Sequence, residues 1–251
     1  MKKLTLVLTV TLFMAFLASC TADPSTITQA TSPASTILPT PIQSVPHSAD
    51  DLTIEEHTIA AGSSKPGFDL VNLVPQETLS RREAWRAPVH HCVPGIHADC
   101  APLVIGEHAY AVEMRDMQHY ALLQDGVVIY SHTTPPRSDI PVYALMEWEG
   151  QWVLEIHDEV IIGGDSFNEQ QGYDKVFDWR IVHGKLFYFF EQDERVHVSY
   201  DGEVLPQTYD EVVHNQCCEP AVCNVQTYAD MVAFYALRGD TWFYVEMGIY
   251  E

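Results

Sequence analysis

Four hairpin-like segments recur along the second half of the chain. Each contains a Gly or Asp turn residue, here called its pivot, and the pivots are Asp116, Gly150, Gly184 and Gly239. The first three pivots are 34 residues apart and the fourth follows after 55, with the extra residues around His214–Asp230. Apolar residues occupy the positions seven and five before each pivot and four and six after it. They are Ala109, Ala111, Tyr120 and Leu122; Tyr143, Leu145, Leu154 and Ile156; Phe177, Trp179, Tyr188 and Phe190; and Val232, Phe234, Phe243 and Val245. This recurrence predicts a stack of equivalent β units.

The turn residues predict how the strands of each hairpin pair. A polar residue precedes each Gly pivot, and a two-residue type I′ turn needs two residues that tolerate positive φ. Such a turn places Trp179 opposite Tyr188 and Phe234 opposite Phe243 on one buried face. The residues two before each pivot are also apolar but face the other way. They are Met114, Trp148, Val182 and Leu237. Either both faces of the hairpins are covered, or the loops have three residues.

Further apolar runs follow the first three hairpins. Val127–Tyr130, Val160–Ile162 and Glu203–Leu205 each come after a polar turn and predict a third strand. No long amphipathic helix appears, although residues 76–86 predict a short one. The predicted fold class is therefore all-β, with little helix. Residues 109–251 form a meander of about four antiparallel hairpin or three-strand units, propeller-like or WG-like, and residues 50–108 form the N-terminal part of the globular domain.

One unit carries a family resemblance. The segment Tyr200–Pro206 and the following Tyr209–Val212 resemble the bacterial WG repeat, whose units have an Asp-Gly turn, an apolar strand and a Tyr-Asp-x-Val close. The resemblance covers one unit well, and the Trp-Gly pair that names the family is missing. It therefore implies a β-repeat architecture and no particular function.

The N-terminus predicts export. Lys2 and Lys3 precede an apolar run over Leu4–Leu17, which closes on Ala18-Ser19-Cys20. A basic start, a short apolar core and small residues before the cut are typical of a secretory signal, and the run is too short for a membrane-spanning helix. The ending resembles the bacterial lipobox. The resemblance implies a signal peptide over residues 1–19, and a lipid anchor of diacylglycerol and palmitate-type acyl chains on Cys20.

Composition limits the partners of the chain. Residues 20–49, rich in Pro, Ser and Thr, predict a tether without regular structure. The chain has 35 acidic and 13 basic residues and a formal net charge of −22, which excludes nucleic acid as a partner because no basic face is available. The same charge repels anionic lipid, so acyl chains must provide the membrane attachment. The predicted location is extracytoplasmic, at the cell surface or in a periplasm.

Five cysteines besides Cys20 lie in two clusters, and two interpretations of them stay open. The clusters are Cys92 with Cys100, and Cys217 with Cys218 and Cys223. Outside the cytoplasm they predict disulfides, either Cys92–Cys100 with one pair in the second cluster or two links between the clusters, with one thiol left over.

The alternative is a zinc or copper site, because imidazole and sulfur ligands lie at short spacings. Its ligands would come from His90, His91, Cys92, His97, Cys100, His214, Cys217 and Cys218. The spacing matches no known zinc ribbon or finger, so the expected cofactor is none, with zinc or copper as the alternative.

Catalytic motifs do not appear, so the sequence favours a non-enzymatic protein. There is no Gly-x-Ser-x-Gly, no His-Glu-x-x-His and no Gly-rich phosphate loop. Carboxylates at Glu155, Asp158, Glu159 and Asp165 could form a glycosidase pair, but a chain this acidic brings carboxylates together by chance. The leading hypothesis is a lipoprotein whose repeats bind a protein, peptide or glycan, and exposure of Trp148 and Trp152 would favour it. The alternative hypothesis is a metal- or thiol-dependent protein.

Overall fold

The computed structural model describes residues 52–61, 92–136, 139–216 and 223–249. The described residues are almost entirely β-strand, with one short helix, α1 (Phe167–Gln171). They all lie within one compact unit, Leu38–Glu251. The predicted all-β repeat is therefore confirmed. The predicted signal peptide, the tether and the helix over residues 76–86 lie outside the described residues.

Seventeen described strands form four antiparallel sheets, and three of these sheets are simple meanders. Sheet 1 contains β2 (Leu103–Ile105), β3 (His108–Met114), β4 (His119–Gln124) and β5 (Val127–Thr133). Sheet 2 contains β6 (Val142–Trp148), β7 (Gln151–Ile156), β8 (Glu159–Ile162) and β9 (Asp165–Ser166). Sheet 3 contains β10 (Lys175–Val182), β11 (Lys185–Gln192), β12 (Arg195–Tyr200) and β13 (Glu203–Tyr209). Each meander is one repeat unit, with a fourth strand that the sequence pattern did not predict.

Sheet 4 is completed by the first strand of the domain. Four of its strands lie near the end of the described chain: β14 (Glu211–Val212), β15 (Gln226–Thr227), β16 (Met231–Arg238) and β17 (Thr241–Gly248). The fifth is β1 (Thr53–Ala61), and the order in the sheet is β1-β17-β16-β14, with β15 also paired to β16. β1 (Thr53–Ala61) pairs antiparallel with β17 from Thr53 opposite Gly248 to Ala61 opposite Thr241. β1 thus lies at the end of its sheet, as β5, β9 and β13 do in the other sheets, and we call these four the outer strands. Closing the last sheet with an N-terminal strand gives it the same four-strand order.

The predicted hairpin register is correct at two of the four turns. The loops Glu149-Gly150 and His183-Gly184 have two residues, with φ of 51° and 79° and of 49° and 73°, as a type I′ turn requires. Leu145 lies opposite Leu154, as predicted. In the next hairpin the register that the predicted turn requires holds beside the loop, where Val182 lies opposite Lys185, but the predicted pairing of Trp179 with Tyr188 is interrupted by a bulge. The rings of Trp179 and Tyr188 stack with centroids 5.0 Å apart.

Bulges shift the far end of both of these hairpins. Val142, not Tyr143, lies opposite Ile156. In the next unit Asp178 has φ of 53°, and the register shifts between Phe177 and Arg180. Phe177 therefore joins a different apolar cluster from Trp179, although the sequence placed both on one face. A bulge inserts an unpaired residue and reverses the alternation beyond it.

The predicted register is wrong at the first and last hairpins. At the last, the loop is Gly239-Asp240, so Phe234 lies opposite Val245 rather than Phe243; this shift of two residues keeps the same side chains on the buried face.

At the first hairpin, Met114 pairs with Tyr120, and five residues lie between them. Among these the Asp116 carboxylate accepts the amide protons of Gln118 and His119. This shift of three residues turns Ala109 and Ala111 away from the core and buries Tyr110 and Val112 in their place.

Apolar clusters join consecutive sheets. One cluster combines Tyr120 and Leu122 of sheet 1 with Leu154 of sheet 2. A second combines sheets 2 and 3, and a third combines sheets 3 and 4, including Leu52 and Ile54 beside β1. A fourth lies on the other face of sheet 4. Sheets 2, 3 and 4 are therefore apolar on both faces, which explains why Trp148, Val182 and Leu237, two before their pivots, are apolar. Met114 of sheet 1 does not follow this explanation, because it is 41% exposed.

Candidate functional site

The first cysteine cluster forms a disulfide, as one of the sequence alternatives predicted. Cys92 is bonded to Cys100, with Cα atoms 5.6 Å apart. Within the loop that it closes, the Nδ1 atom of His97 accepts the amide proton of Val93 at 2.9 Å. In the second cluster Cys223 is buried, while Cys217 and Cys218 lie outside the described residues.

The disulfide loop is packed against sheet 1. Val93 has 0% exposure and belongs to the cluster shared by sheets 1 and 2. The amide of Val112 donates to the carbonyl of Pro94 at 2.8 Å. Gly95 has φ of 87°, and a Cβ atom there would lie 2.0 Å from the carbonyl oxygen of Val112. Only glycine allows this approach, so the loop is a built brace for β3.

Three described members of the predicted metal set lie in this brace, and the fourth, His214, lies elsewhere. The side chains of Cys92, His97 and Cys100 bring their ligand atoms within 4.8 Å of one another, but the two sulfurs are bonded and are not thiolates. His214 lies beside Asp158, with 3.5 Å between Nε2 and a carboxylate oxygen, and stacks on Phe177. The remaining ligands of that hypothesis, His90, His91, Cys217 and Cys218, lie outside the described residues.

A second group of metal-ligand types, which the sequence did not reveal, lies on sheet 4. Glu55 and His57 on β1 and Glu246 on β17 bring their ligand atoms within 4.8 Å of one another. Glu55 pairs directly with Glu246, and the hydroxyl of Tyr244 donates to Glu246 at 3.0 Å. Two carboxylates and an imidazole are ligands that zinc or manganese accepts. The residues come from opposite ends of the domain, so no local spacing could indicate them.

Three charged residues are buried between sheets 2 and 3, and we call them the buried charge cluster. They are Glu155 on β7 and Asp178 and Arg180 on β10, with exposures of 0%, 5% and 6%. The Arg180 guanidinium donates to Glu155 at 2.6 Å and to Asp178 at 3.1 Å. Glu155 also accepts the backbone amides of Asp178 at 2.8 Å and Trp179 at 3.3 Å. The cluster thus fixes the bulge of β10 against β7.

A second polar pair adjoins this cluster. The pair is Asp158, which follows β7, and His214, which follows β14, so it links sheet 2 to sheet 4; Asn215 adjoins it. The Nδ1–H of His214 donates to the carbonyl oxygen of Val212 at 2.8 Å, and the side-chain amide of Asn215 donates to the Asp158 carboxylate at 3.3 Å. Asp158 also accepts through its backbone carbonyl from Val176 and Asn168. The polar atoms of Asp158 and His214 thus find hydrogen-bond partners within the protein, which indicates a structural role for this pair.

Burial and charge shift the pKa values in this region. Burial raises the pKa of Asp178 to about 6, although Arg180 opposes the shift. Burial disfavours the charged form of His214, but the hydrogen bond and charge of Asp158 raise its pKa overall. Burial acts against ionisation of Asp158, and the hydrogen bond from His214 nevertheless lowers its pKa. Asp178 Oδ2 makes no hydrogen bond to any described residue. The raised pKa values of Asp178 and His214 mean that this junction takes up protons on folding, so its contribution to stability falls as pH rises.

The sequence hypothesis of an exposed tryptophan face is not supported at Trp152. Trp152 is 8% exposed and packs on Tyr130 with ring centroids 5.6 Å apart. Trp148 is half-buried against the cluster of sheets 2 and 3, while Trp179 and Trp242 are each 1% exposed. Trp148, Trp152, Trp179 and Trp242 are therefore packing residues.

The most exposed apolar stretch of the described chain lies on β5, at the outer edge of sheet 1. Val127, Val128 and Ile129 are exposed by 65%, 41% and 42%. Three adjacent apolar side chains point to both faces of the strand, because side chains alternate along it. The sequence identified this strand as Val127–Tyr130 but not its exposure. Runs of this kind normally mark a contact surface.

The comparisons give no relative from which to transfer a function. No protein-family model, no curated protein and no solved structure matches this chain significantly. Among the described residues, no helix has the length and apolar character needed to cross a membrane.

Proposed function

We propose that this protein is a lipid-anchored, extracytoplasmic binding module, and that its repeated sheets hold a recognition surface for a protein or peptide. The observation that carries the binding role is the exposure of Val127, Val128 and Ile129 on the outer strand of sheet 1. The other outer strands do not present such a run. A surface of this kind is unfavourable in water unless a partner covers it for part of its life.

The anchoring part of the proposal rests on the leader. Lys2 and Lys3, the apolar run over Leu4–Leu17 and Cys20 support export followed by lipidation. The WG-like unit over Tyr200–Val212 supports the repeat-module part of the proposal. Because the chain carries a net charge of −22, the lipid and not the protein surface would hold it to an anionic membrane.

Labelling with radioactive palmitate tests the anchor. Cells that express the full chain should incorporate label into it, and the Cys20→Ala variant should lose both the label and its place in the membrane fraction. The Cys223→Ala variant provides the matched control, because it removes a cysteine elsewhere and should keep the label. Label that persists in the Cys20→Ala variant would refute lipidation at this residue.

Panning tests the binding role. A displayed library of random twelve-residue peptides is selected against the full chain in non-ionic detergent. We expect enrichment of a recurring sequence class that binds in solution when resynthesised. If no sequence is enriched over a selection against empty micelles, the peptide-binding proposal is wrong.

A further inference from the structure

The four sheets treat their outer strands differently. β9 has only two residues, Asp165–Ser166. β13 contains Glu203 and Pro206, and β1 contains Glu55 and Glu56. Short length, charge and proline all hinder the pairing of an edge strand with another chain. Three of the four outer strands therefore carry a device against strand addition.

β5 lacks these devices. Its seven residues, VVIYSHT, include no proline, lysine, arginine or carboxylate, and β-branched and aromatic residues predominate. One bulge is present, since Leu123 lies opposite Val128 and Leu122 opposite Tyr130, which leaves Ile129 between them. From Tyr130 to Thr133 the pairing with β4 is regular. No described strand pairs with the other side of this stretch, so its backbone donors and acceptors there suit an added strand of about four to six residues.

The surroundings of β5 are negatively charged. The carboxylates of Glu159 and Glu169 add to the effect of burial in raising the pKa of Tyr130, which lies on β5 itself. Burial and the charges of Asp116 and Asp139 likewise raise the pKa of Tyr120 on the neighbouring strand, β4.

Counter-charges are few on this sheet. Within residues 103–136, Arg115 is the single lysine or arginine, and it lies 3.5 Å from Glu113. A segment that docks along β5 therefore enters a negative field, which favours a cationic ligand.

We propose that β5 binds an extended peptide segment by strand addition, and that the segment carries lysine or arginine beside alternating apolar residues. The main-chain hydrogen bonds of the added strand supply affinity, Val127, Val128 and Ile129 contact its side chains, and the carboxylates around sheet 1 select its charge. This inference rests on the proposed binding function and names the ligand class and the strand that recognises it.

Charge also decides against a second copy of this chain as the occupant. Two copies with a net charge of −22 each repel one another, and β5 contributes no cation to offset the repulsion. A heterologous cationic segment meets no such penalty. A dimer that depends on β5 would overturn the inference.

The test measures the affinity of defined peptides for the full chain in non-ionic detergent by fluorescence anisotropy. The probe is a nine-residue peptide of alternating threonine and valine with lysine at each end. One control peptide has glutamate at each end, and another has proline at its centre. We expect the lysine-ended peptide to bind at least about tenfold more tightly than either control, with affinity falling as salt is added. Equal binding of the glutamate-ended peptide would refute the charge selection.

Two matched variants locate the binding strand. Val128→Lys places a charge on β5, and Val204→Lys places the same charge on β13, where Val204 is 55% exposed. Val128→Lys should lower the affinity for the lysine-ended peptide about tenfold or more, and Val204→Lys should lower it less than about twofold. Equal effects of the two variants would overturn the assignment to β5.

Hydrogen exchange keeps the test decisive if Val128→Lys fails to fold. In the wild-type chain, the peptide should slow exchange in the segment Val127–Thr133 and leave the segment Glu203–Tyr209 unchanged. No added protection in β5 refutes strand addition. The selected peptides from panning separate the two proposals. If they bind but neither displace the probe nor slow hydrogen exchange in β5, the proposed binding function stands and this inference alone is overturned.

Discussion

Sheets 1 and 3 have the same four-strand order but are stabilised in different ways. Sheet 3 is apolar on both faces, with Phe187 and Phe189 in one cluster and Tyr188 and Phe190 in the other. Sheet 1 has one described apolar cluster, shared with sheet 2, and is braced by the disulfide loop of Cys92 and Cys100. An interior unit gains stability from two neighbours. In the first unit, sheet 1 packs on one described cluster and leaves its edge strand β5 exposed, and the Cys92–Cys100 disulfide compensates for the missing packing.

Replacement of Trp179 should have the largest effect. Trp179 is 1% exposed, stacks on Tyr188 and meets the edge of Phe167 at 4.9 Å. Trp179→Ala should lower the free energy of unfolding by about 4 kcal/mol, because it opens a cavity in the core of sheet 3. Val104→Ala on sheet 1 is the control and should change it by less than about 0.5 kcal/mol. Urea unfolding of both variants checks the contrast, and a loss under about 1 kcal/mol at Trp179 would contradict it.

Loss of the buried cation should come next. Arg180→Met leaves Glu155 and Asp178 buried without the guanidinium that pairs with both, so we expect a loss of about 3 kcal/mol at neutral pH. The double variant with Glu155→Met should recover part of this loss, because it removes an unpaired buried charge. Urea unfolding again gives the measurement. A double variant that is as unstable as Arg180→Met would show that the charges are not coupled.

Removal of the disulfide should weaken sheet 1 selectively. The double variant Cys92→Ser/Cys100→Ser releases a loop with a sequence separation of 8, and should cost about 2 kcal/mol because the unfolded chain gains freedom. Hydrogen exchange should accelerate in β3, which the loop contacts through Val112, and change little in β11. Uniform acceleration across both strands would mean that the brace is not local.

The buried charge cluster should make sheet 3 sensitive to pH. The folded-state pKa of Asp178 is raised from its ordinary value of 3.8 to about 6, so folding binds a proton between about pH 4 and 6 and stability falls as pH rises through that window. The raised pKa of His214 also favours the folded state at low pH, and that stability is lost as pH rises through the folded pKa.

Asp178→Asn checks this prediction. The variant should become more stable relative to wild type at pH 7.5 than at pH 5, because it cannot ionise. Urea unfolding at both pH values measures the difference, and an exposed change on the opposite edge of sheet 3, Glu203→Gln, serves as the control. An offset that is the same at both pH values would show that Asp178 titrates alike in the folded and unfolded chain.

The exposed edge should contribute least to stability. Val127→Thr on β5 removes apolar surface that is 65% exposed, so the free energy of unfolding should change by less than about 0.5 kcal/mol. Thermal unfolding with and without the lysine-ended peptide separates stability from binding. A loss above about 1 kcal/mol would mean that Val127 is a packing residue, and the contrast between the two sheets would fail there.

The sequence predicted the fold class because the repeats depend on local patterns. Glu149-Gly150 and His183-Gly184 have the composition of a type I′ turn, and both registers followed from it. The register failed where a side chain or a bulge changed the local geometry. At Asp116 the carboxylate accepts two amides and lengthens the loop, and at Asp178 a left-handed residue shifts the strand.

The candidate sites were harder to predict, because they join distant residues. Arg180 meets Glu155 across 25 positions, and Asn215 meets Asp158 across 57. The one local signal was a pair of charges inside an apolar strand, Asp178 and Arg180, whose burial costs too much unless partners are near. Exposure of β5 had no sequence signal at all, since the pattern VVIY is equally typical of a covered strand.

Closure by β1 has a consequence for the order of folding. Thr53 is synthesised almost two hundred residues before Gly248, its partner in sheet 4. Sheets 1, 2 and 3 pair only neighbouring strands, so they can form before synthesis of the chain is complete. β1 must wait for β17, and contacts at such sequence separation form slowly. A chain that stops short of β17 leaves β1 without its partner, so only the finished polypeptide can complete the fourth sheet.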